Sequence, residues 1–193
     1  MRLAVLCLVA SAVLPPLSRA QAPVFVITPQ QSTIKFNVKS SISLTGVFDK
    51  WDATLKFTST DVNTGVLDIR IQAASVNTGS GFKDDKLRGG DFFNVQTDPL
   101  ITFLSKKFIK TGPNTYGVQG SFTIRGVSKP ETLSLSVERD SQGTGEINGT
   151  MAFDLREFGM NSGIPFIRIA DRVEVTVALK ARRVSGPPVI FRQ

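Results

Sequence analysis

Ile147-Asn148-Gly149-Thr150-Met151-Ala152-Phe153-Asp154-Leu155 sets isoleucine, glycine, methionine, phenylalanine and leucine at every second position, with polar or small residues between them. Successive side chains of a strand point to opposite faces, so this period of two describes a strand with one buried face. Nine residues at about 3.3 Å each reach roughly 30 Å, beyond the usual strand of five or six residues. The alternation recurs on both sides of the stretch. It appears in Ile34, Phe36 and Val38; in Leu55 and Phe57; in Leu67, Ile69 and Ile71; and in Val118, Phe122 and Ile124. Leu133, Leu135 and Val137 follow it too, as do Val173, Val175, Val177 and Leu179. Turn-forming Gly112-Pro113-Asn114, Ser128-Lys129-Pro130 and Ser141-Gln142-Gly143 separate the runs. Eight to ten antiparallel strands without a long helical period predict an all-β fold, an elongated up-and-down antiparallel barrel with short helical segments in its connections.

Composition narrows the chemistry. The 193 residues include no histidine and one cysteine, Cys7. This excludes Ser-His-Asp and Cys-His nucleophilic sites and His-ligated zinc or haem. Phenylalanine supplies 14 aromatic side chains, against one tryptophan and one tyrosine. A buried aromatic surface of this kind carries few N–H or O–H groups that need partners, which predicts a dry interior. Such long strands enclose either a narrow apolar tunnel or a core filled by side chains.

The amino terminus reads as an export signal cleaved after Ala20. Arg2 is the basic segment, Leu3 to Leu14 is an apolar run too short to span a bilayer, and Ser18 and Ala20 are the small residues a peptidase inspects. Residues 21–193 are then a single domain. Removal of the leader takes two arginines and no acid, so the net charge of +7 falls by two, and it takes Cys7, so no disulfide is expected. The densest basic clusters, Lys106-Lys107 and Arg182-Arg183, read as solvated faces, and no nucleic-acid partner is expected. Asn148-Gly149-Thr150 matches a glycosylation sequon but lies mid-strand, and it is taken as chance.

Two stretches break the alternation. Ser75 to Pro99 is too long for a hairpin connection, and Asp91 is placed to cap a short helix through Phe92-Phe93-Asn94-Val95. Arg156 to Ala170 carries Phe158, Met160, Ile164, Phe166 and Ile167 outside any strand register, so these residues need a barrel end or a ligand to cover.

These stretches also carry a resemblance. Ser32 to Val38 is followed by Asn77-Thr78-Gly79, Leu87, Asp91-Phe92-Phe93 and Pro99-Leu100-Ile101-Thr102-Phe103. Then come Gly120-Ser121-Phe122-Thr123-Ile124-Arg125-Gly126-Val127-Ser128-Lys129-Pro130, Arg156-Glu157-Phe158-Gly159-Met160 and Asp171-Arg172-Val173. In this order and spacing the chain resembles the YceI-like family of exported, lipocalin-like barrels that bind polyisoprenoid lipids. It departs from that family at Ser40-Ser41 and at Lys86, where members often carry histidine, and the tail from Val184 to Gln193 lies outside the pattern.

The resemblance implies non-catalytic binding of a polyisoprenoid or other long-chain amphiphile in the bacterial periplasm. Transport, storage and sequestration remain alternatives, with transient membrane contact and no metal or cofactor. The expected ligand-lining residues are Leu87, Phe92, Phe93, Phe103, Phe122, Phe158 and Met160. Lys83, Lys86, Arg88, Arg125 and Arg156 are the expected contacts for an anionic head group. Two other readings stay open: a stress-response or interaction module with a filled core, and a hydrolase using a carboxylate pair such as Asp84 with Asp91. A meander also predicts that the connections Ser75–Pro99, Gly126–Pro130 and Arg156–Ala170 share one end of the barrel.

Overall fold

The computed structural model describes residues 22–40, 44–139, 143–160 and 169–190, apart from the side chains of Ser40 and Ile169. The expected leader lies outside the described residues, as do Ile164, Phe166 and Ile167.

Eleven described strands form eight staves of a closed antiparallel barrel. Three staves are broken in two. β1 (Val24–Ile27) and β2 (Thr33–Ser40) flank a 3-10 turn at Pro29–Gln31. β3 (Leu44–Phe48) and β4 (Trp51–Lys56) meet at Asp49-Lys50, and β5 (Val66–Gln72) and β6 (Val76–Asn77) flank a turn at Ala73–Ser75. The other five are unbroken: β7 (Leu100–Lys110), β8 (Thr115–Ile124), β9 (Val127–Arg139), β10 (Thr144–Asp154) and β11 (Ile169–Ser185). Each pairs antiparallel with the next, and β11 closes the ring by pairing along one edge with β2 and then with β1. The expected up-and-down barrel is therefore the observed fold.

Alternation sets the inside. Ile34, Leu67, Ile124, Leu133 and Leu179 are almost wholly buried, while their chain neighbours are more exposed. Ser105 is a rare buried polar residue on the inner face. It sits beside a register shift in β7, and its hydroxyl accepts the Leu67 N–H at 2.8 Å, closing the β5–β7 seam where a backbone carbonyl is out of place.

Several local expectations need correction. Ser128-Lys129-Pro130 is not a turn but lies in β9, paired with β8. The turn is Arg125-Gly126, both at positive φ (53° and 72°), the backbone of a two-residue hairpin whose twist matches its strands. Pro130 is tolerated because the β9–β10 ladder stops at Thr150↔Ser134, leaving this part of β9 without a second neighbour. No helix follows Asp91. The helix α1 is Gly81–Arg88, and residues 91–97 turn back on it, with Asn94 left-handed at φ 51°. The tail after β11 also has a structural role. Gly186, at φ 78°, lets the chain pass against the Ala22 carbonyl, Val189 is buried at the barrel end, and the Ile190 N–H donates to Thr60 O at 2.7 Å.

The β2–β3, β6–β7, β8–β9 and β10–β11 connections gather at one end, here the loop end, as the meander predicts. The β4–β5, β7–β8 and β9–β10 connections and both described chain ends lie at the opposite, terminal end. At mid-barrel, a Cβ on Gly120 would stand 2.6 Å from Leu104 O and 2.8 Å from Phe103 Cζ, so only glycine admits the Phe103 ring there. Gly120→Val is expected to lower the unfolding free energy by about 1–3 kcal/mol through overpacking, measured by urea denaturation.

Candidate functional site

The loop end is closed by chain that folds over it. α1 is tied down by Asp84, whose carboxylate accepts from the Thr78 N–H (2.8 Å) and hydroxyl (2.7 Å), and by Arg88, which donates to Ala74 O and Val76 O. This places Leu87 inward. The turns after α1 add Phe92 and Phe93, both buried, and Phe93 packs with Phe36 and Phe48 at ring-centroid distances of 6.5 and 5.7 Å. After β10, Leu155–Phe158 form a 3-10 turn capped by Asp154, which accepts the Arg156 N–H. Arg125 joins the three connections: its Nη1 donates to Gly159 O at 2.6 Å and to Asp91 O at 3.3 Å.

Beneath this cover lies an apolar cavity of about 60 Å³. Leu87, Phe92, Phe93, Phe122 and Met160 line it, five of the seven residues expected from the sequence. The other two stand elsewhere. Phe158, wholly buried, packs edge-on against Phe122 and Phe153 at 5.4 and 5.2 Å. Its ring joins Phe122 of β8 to Phe153 of β10, the strands on either side of the stretch of β9 that no longer pairs with β10. Phe103 belongs to the mid-barrel layer of Ile69, Phe103, Val118, Leu133, Met151 and Val177, none of which lines a cavity. This layer is a waist.

On the far side of the waist, at the terminal end, is a larger cavity of about 470 Å³. Its walls are apolar, among them Phe57, Phe108, Leu135 and Ile147, with Val189 from the tail beside them. Asn114, Tyr116, Arg139, Thr144 and Arg183 supply the polar side chains. Burial pushes the Tyr116 phenol pKa up, against a downward pull from the nearby Arg139 charge. The sequence reading missed this compartment. A signal for it existed in strand phase: Tyr116 shares its phase with Val118, Gly120, Phe122 and Ile124 of β8, and Arg183 with Val173, Val175, Val177, Leu179 and Ala181 of β11.

The five expected head-group cations sit at the loop end, and four are engaged with the protein itself. Lys86 pairs with Asp91 at 2.7 Å, Arg88 with Asp85 at 3.0 Å and Arg156 with Asp171, while Arg125 serves the rim carbonyls. Lys83 is exposed on α1. The carboxylates of the hydrolase reading are likewise occupied. Asp84 caps Thr78, and Asp91 is held below the usual carboxylate range by its hydrogen bond and charge pairing with Lys86, which keeps it ionised rather than available as a general acid. Among the described residues, no group of three His, Cys, Asp or Glu is placed to hold a metal.

These features define a binding-type barrel, and the comparisons agree. The family model for the YceI-like domain matches residues 25–181, and the chain belongs to the YceI-like family. A UPF0312 protein of Pseudomonas aeruginosa is 28% identical over 138 residues, covering 68% of this chain and 72% of the relative. Among solved structures, BcnA of Burkholderia cenocepacia superposes with a TM-score of 0.74 at 25% identity, covering 80% of this chain and 98% of BcnA. A polyisoprenoid-binding domain from Saccharophagus degradans, implicated in plant cell wall breakdown, shares the fold with a TM-score of 0.67 at 16% identity, covering 83% and 99%. The match ends before the tail, consistent with its lying outside the family pattern.

Glu131 marks the parted seam chemically. It shares the inner face of β9 with Leu133, and burial, reinforced by the Glu157 charge, raises its pKa. A carboxyl raised in the folded state binds more protons there than when unfolded, so stability falls as pH rises through the unfolded pKa, near 4.3. Glu131→Gln is expected to stabilise the protein at pH 7 and to leave it unchanged at pH 3, measured by urea denaturation at both.

Proposed function

We propose that the protein is a non-catalytic carrier or store for a polyisoprenoid or other long-chain amphiphilic lipid, exported to the bacterial periplasm after cleavage behind Ala20. The observation that carries this reading is the closed barrel with two apolar cavities on one axis, in a chain of the YceI-like family. The polyisoprenoid-binding domain of the same fold supports the ligand class. Each buried methylene contributes about 0.8 kcal/mol, so some ten carbons supply roughly 8 kcal/mol towards the cost of association without polar contacts. In this reading Leu87, Phe92, Phe93, Phe122 and Met160 hold the end of the chain beneath the loop-end cover, and Phe103 is the side chain that must turn aside if the chain crosses the waist.

The small size of the loop-end cavity favours a second reading, a filled interaction or stress-response module. Protein purified from its native host and extracted into organic solvent distinguishes the two by mass spectrometry. A stoichiometric long-chain lipid is the expected result, and protein without lipid would favour the module. Phe122→Asp places a carboxylate in the dry interior, where desolvation costs several kcal/mol, and should abolish lipid uptake at matched folded fraction. Intact-mass analysis of the exported protein should show Gln21 as the first residue and no acyl group on Cys7.

A further inference from the structure

The two ends of the barrel differ in the charged groups that line their cavities. At the loop end, Lys86, Arg88 and Arg156 each have a carboxylate partner. At the terminal end, Arg139 and Arg183 line the 470 Å³ cavity, and among the described residues no carboxylate lines it. Arg183 is on the inner phase of β11, two residues beyond buried Ala181, and its Nη1 donates to Gly186 O at 2.6 Å, which fixes the guanidinium at the rim. Guanidinium groups do not lose their charge in proteins. Two of them at the rim of apolar walls make a positive mouth on a greasy compartment.

We propose that this terminal-end compartment binds a single-chain anionic amphiphile, with the apolar chain inside and the head group between Arg139 and Arg183. The inference rests on the reading of the barrel as a lipid binder and adds an orientation and a head-group charge. The volume lies within the range of small-ligand sites. From Arg139 inward to Leu135 the wall is about 13 Å deep along β9, enough for one short chain above the waist. The carboxylate or phosphate would meet forked donors suited to bidentate contact, with the Tyr116 hydroxyl and Asn114 among the other polar groups of the lining.

Farnesyl monophosphate and farnesol have the same chain and differ in the head group, so titration calorimetry of the mature protein with each separates charge from chain. Farnesyl monophosphate is expected to bind at least tenfold more tightly than farnesol. The double variant R139Q/R183Q should lose that advantage while keeping its affinity for farnesol. R139Q alone leaves the Arg183–Gly186 bond in place and should lose part of the advantage. Val137→Trp, which fills the cavity, should weaken both ligands tenfold or more. Equal binding of the two ligands by the unaltered protein, or an advantage that survives in the double variant, overturns the head-group assignment and leaves the lipid-binding reading standing. Inorganic phosphate that binds as tightly as farnesyl monophosphate overturns the amphiphile assignment. Absence of binding by either farnesyl compound, together with lipid-free native protein, overturns both readings.

Discussion

The structure depends on the closure carried by β11. This 17-residue strand pairs with β10 along one edge from Arg172 to Arg182, and its other edge is shared, β2 meeting it as far as Ala178 and β1 taking over at Ala181. The 3-10 turn at Pro29–Gln31 makes the handover, and the Ser32 hydroxyl holds it by donating to Thr28 O and accepting the Lys180 N–H. Without this joint the sheet would keep two open edges, each a row of unpaired amides and carbonyls. With it, every stave has neighbours, and one face of the sheet is committed to a common interior.

That commitment explains why so much of the fold is legible in the sequence. A strand has only two faces, so a slip of one residue would expose Ile34, Phe36 and Val38 together and bury Lys35, Asn37 and Lys39. The period of two therefore carries both the fold class and the inner residues. Ser128-Lys129-Pro130 was less legible, because proline and serine are turn residues by local chemistry and only the loss of the β10 neighbour makes a strand of them. Asp91 misled in the same way: its charge goes to Lys86 across a turn and not to a helix terminus. β1, β3 and β6 were not read as strands, because each is short and is set off from the rest of its stave by a break at Pro29–Gln31, Asp49-Lys50 or Ala73–Ser75.

The candidate site was legible in part, for a related reason. Apolar residues in a loop must cover something, and this placed Leu87, Phe92, Phe93 and Met160 over the interior. It could not reveal how full that interior is. Phe103 resting on Gly120, and the two facing aromatic clusters of the loop end, reduce the space there to about 60 Å³. The roomier compartment lies where Gly145, Ala181 and Val137 stand between the rings of the wall. Charge showed the same limit. The basic residues near the conspicuous motifs are neutralised by nearby acids, whereas Arg183 stands out only once the phase of β11 is known.

The parting of β9 from β10 beyond Thr150↔Ser134 gives the two halves of the barrel different mechanics. Around the terminal half, backbone ladders hold most of the seams, and where the β5–β7 ladder ends at Asp68↔Leu104 the Ser105 hydroxyl accepts the Leu67 N–H, so widening this half means breaking hydrogen bonds. Around the loop half the girdle is cut between β9 and β10, as in a split sleeve, and β6 pairs with β3 alone. There the perimeter is set by side-chain contacts across the slit, chiefly the rings of Phe122, Phe153 and Phe158. Dispersion contacts have no fixed register and re-form in many arrangements, so this half can change its bore while the ladders of the other half stay intact. The molecule thus joins a stiffer collar to a looser one, and both are formed by the same strands.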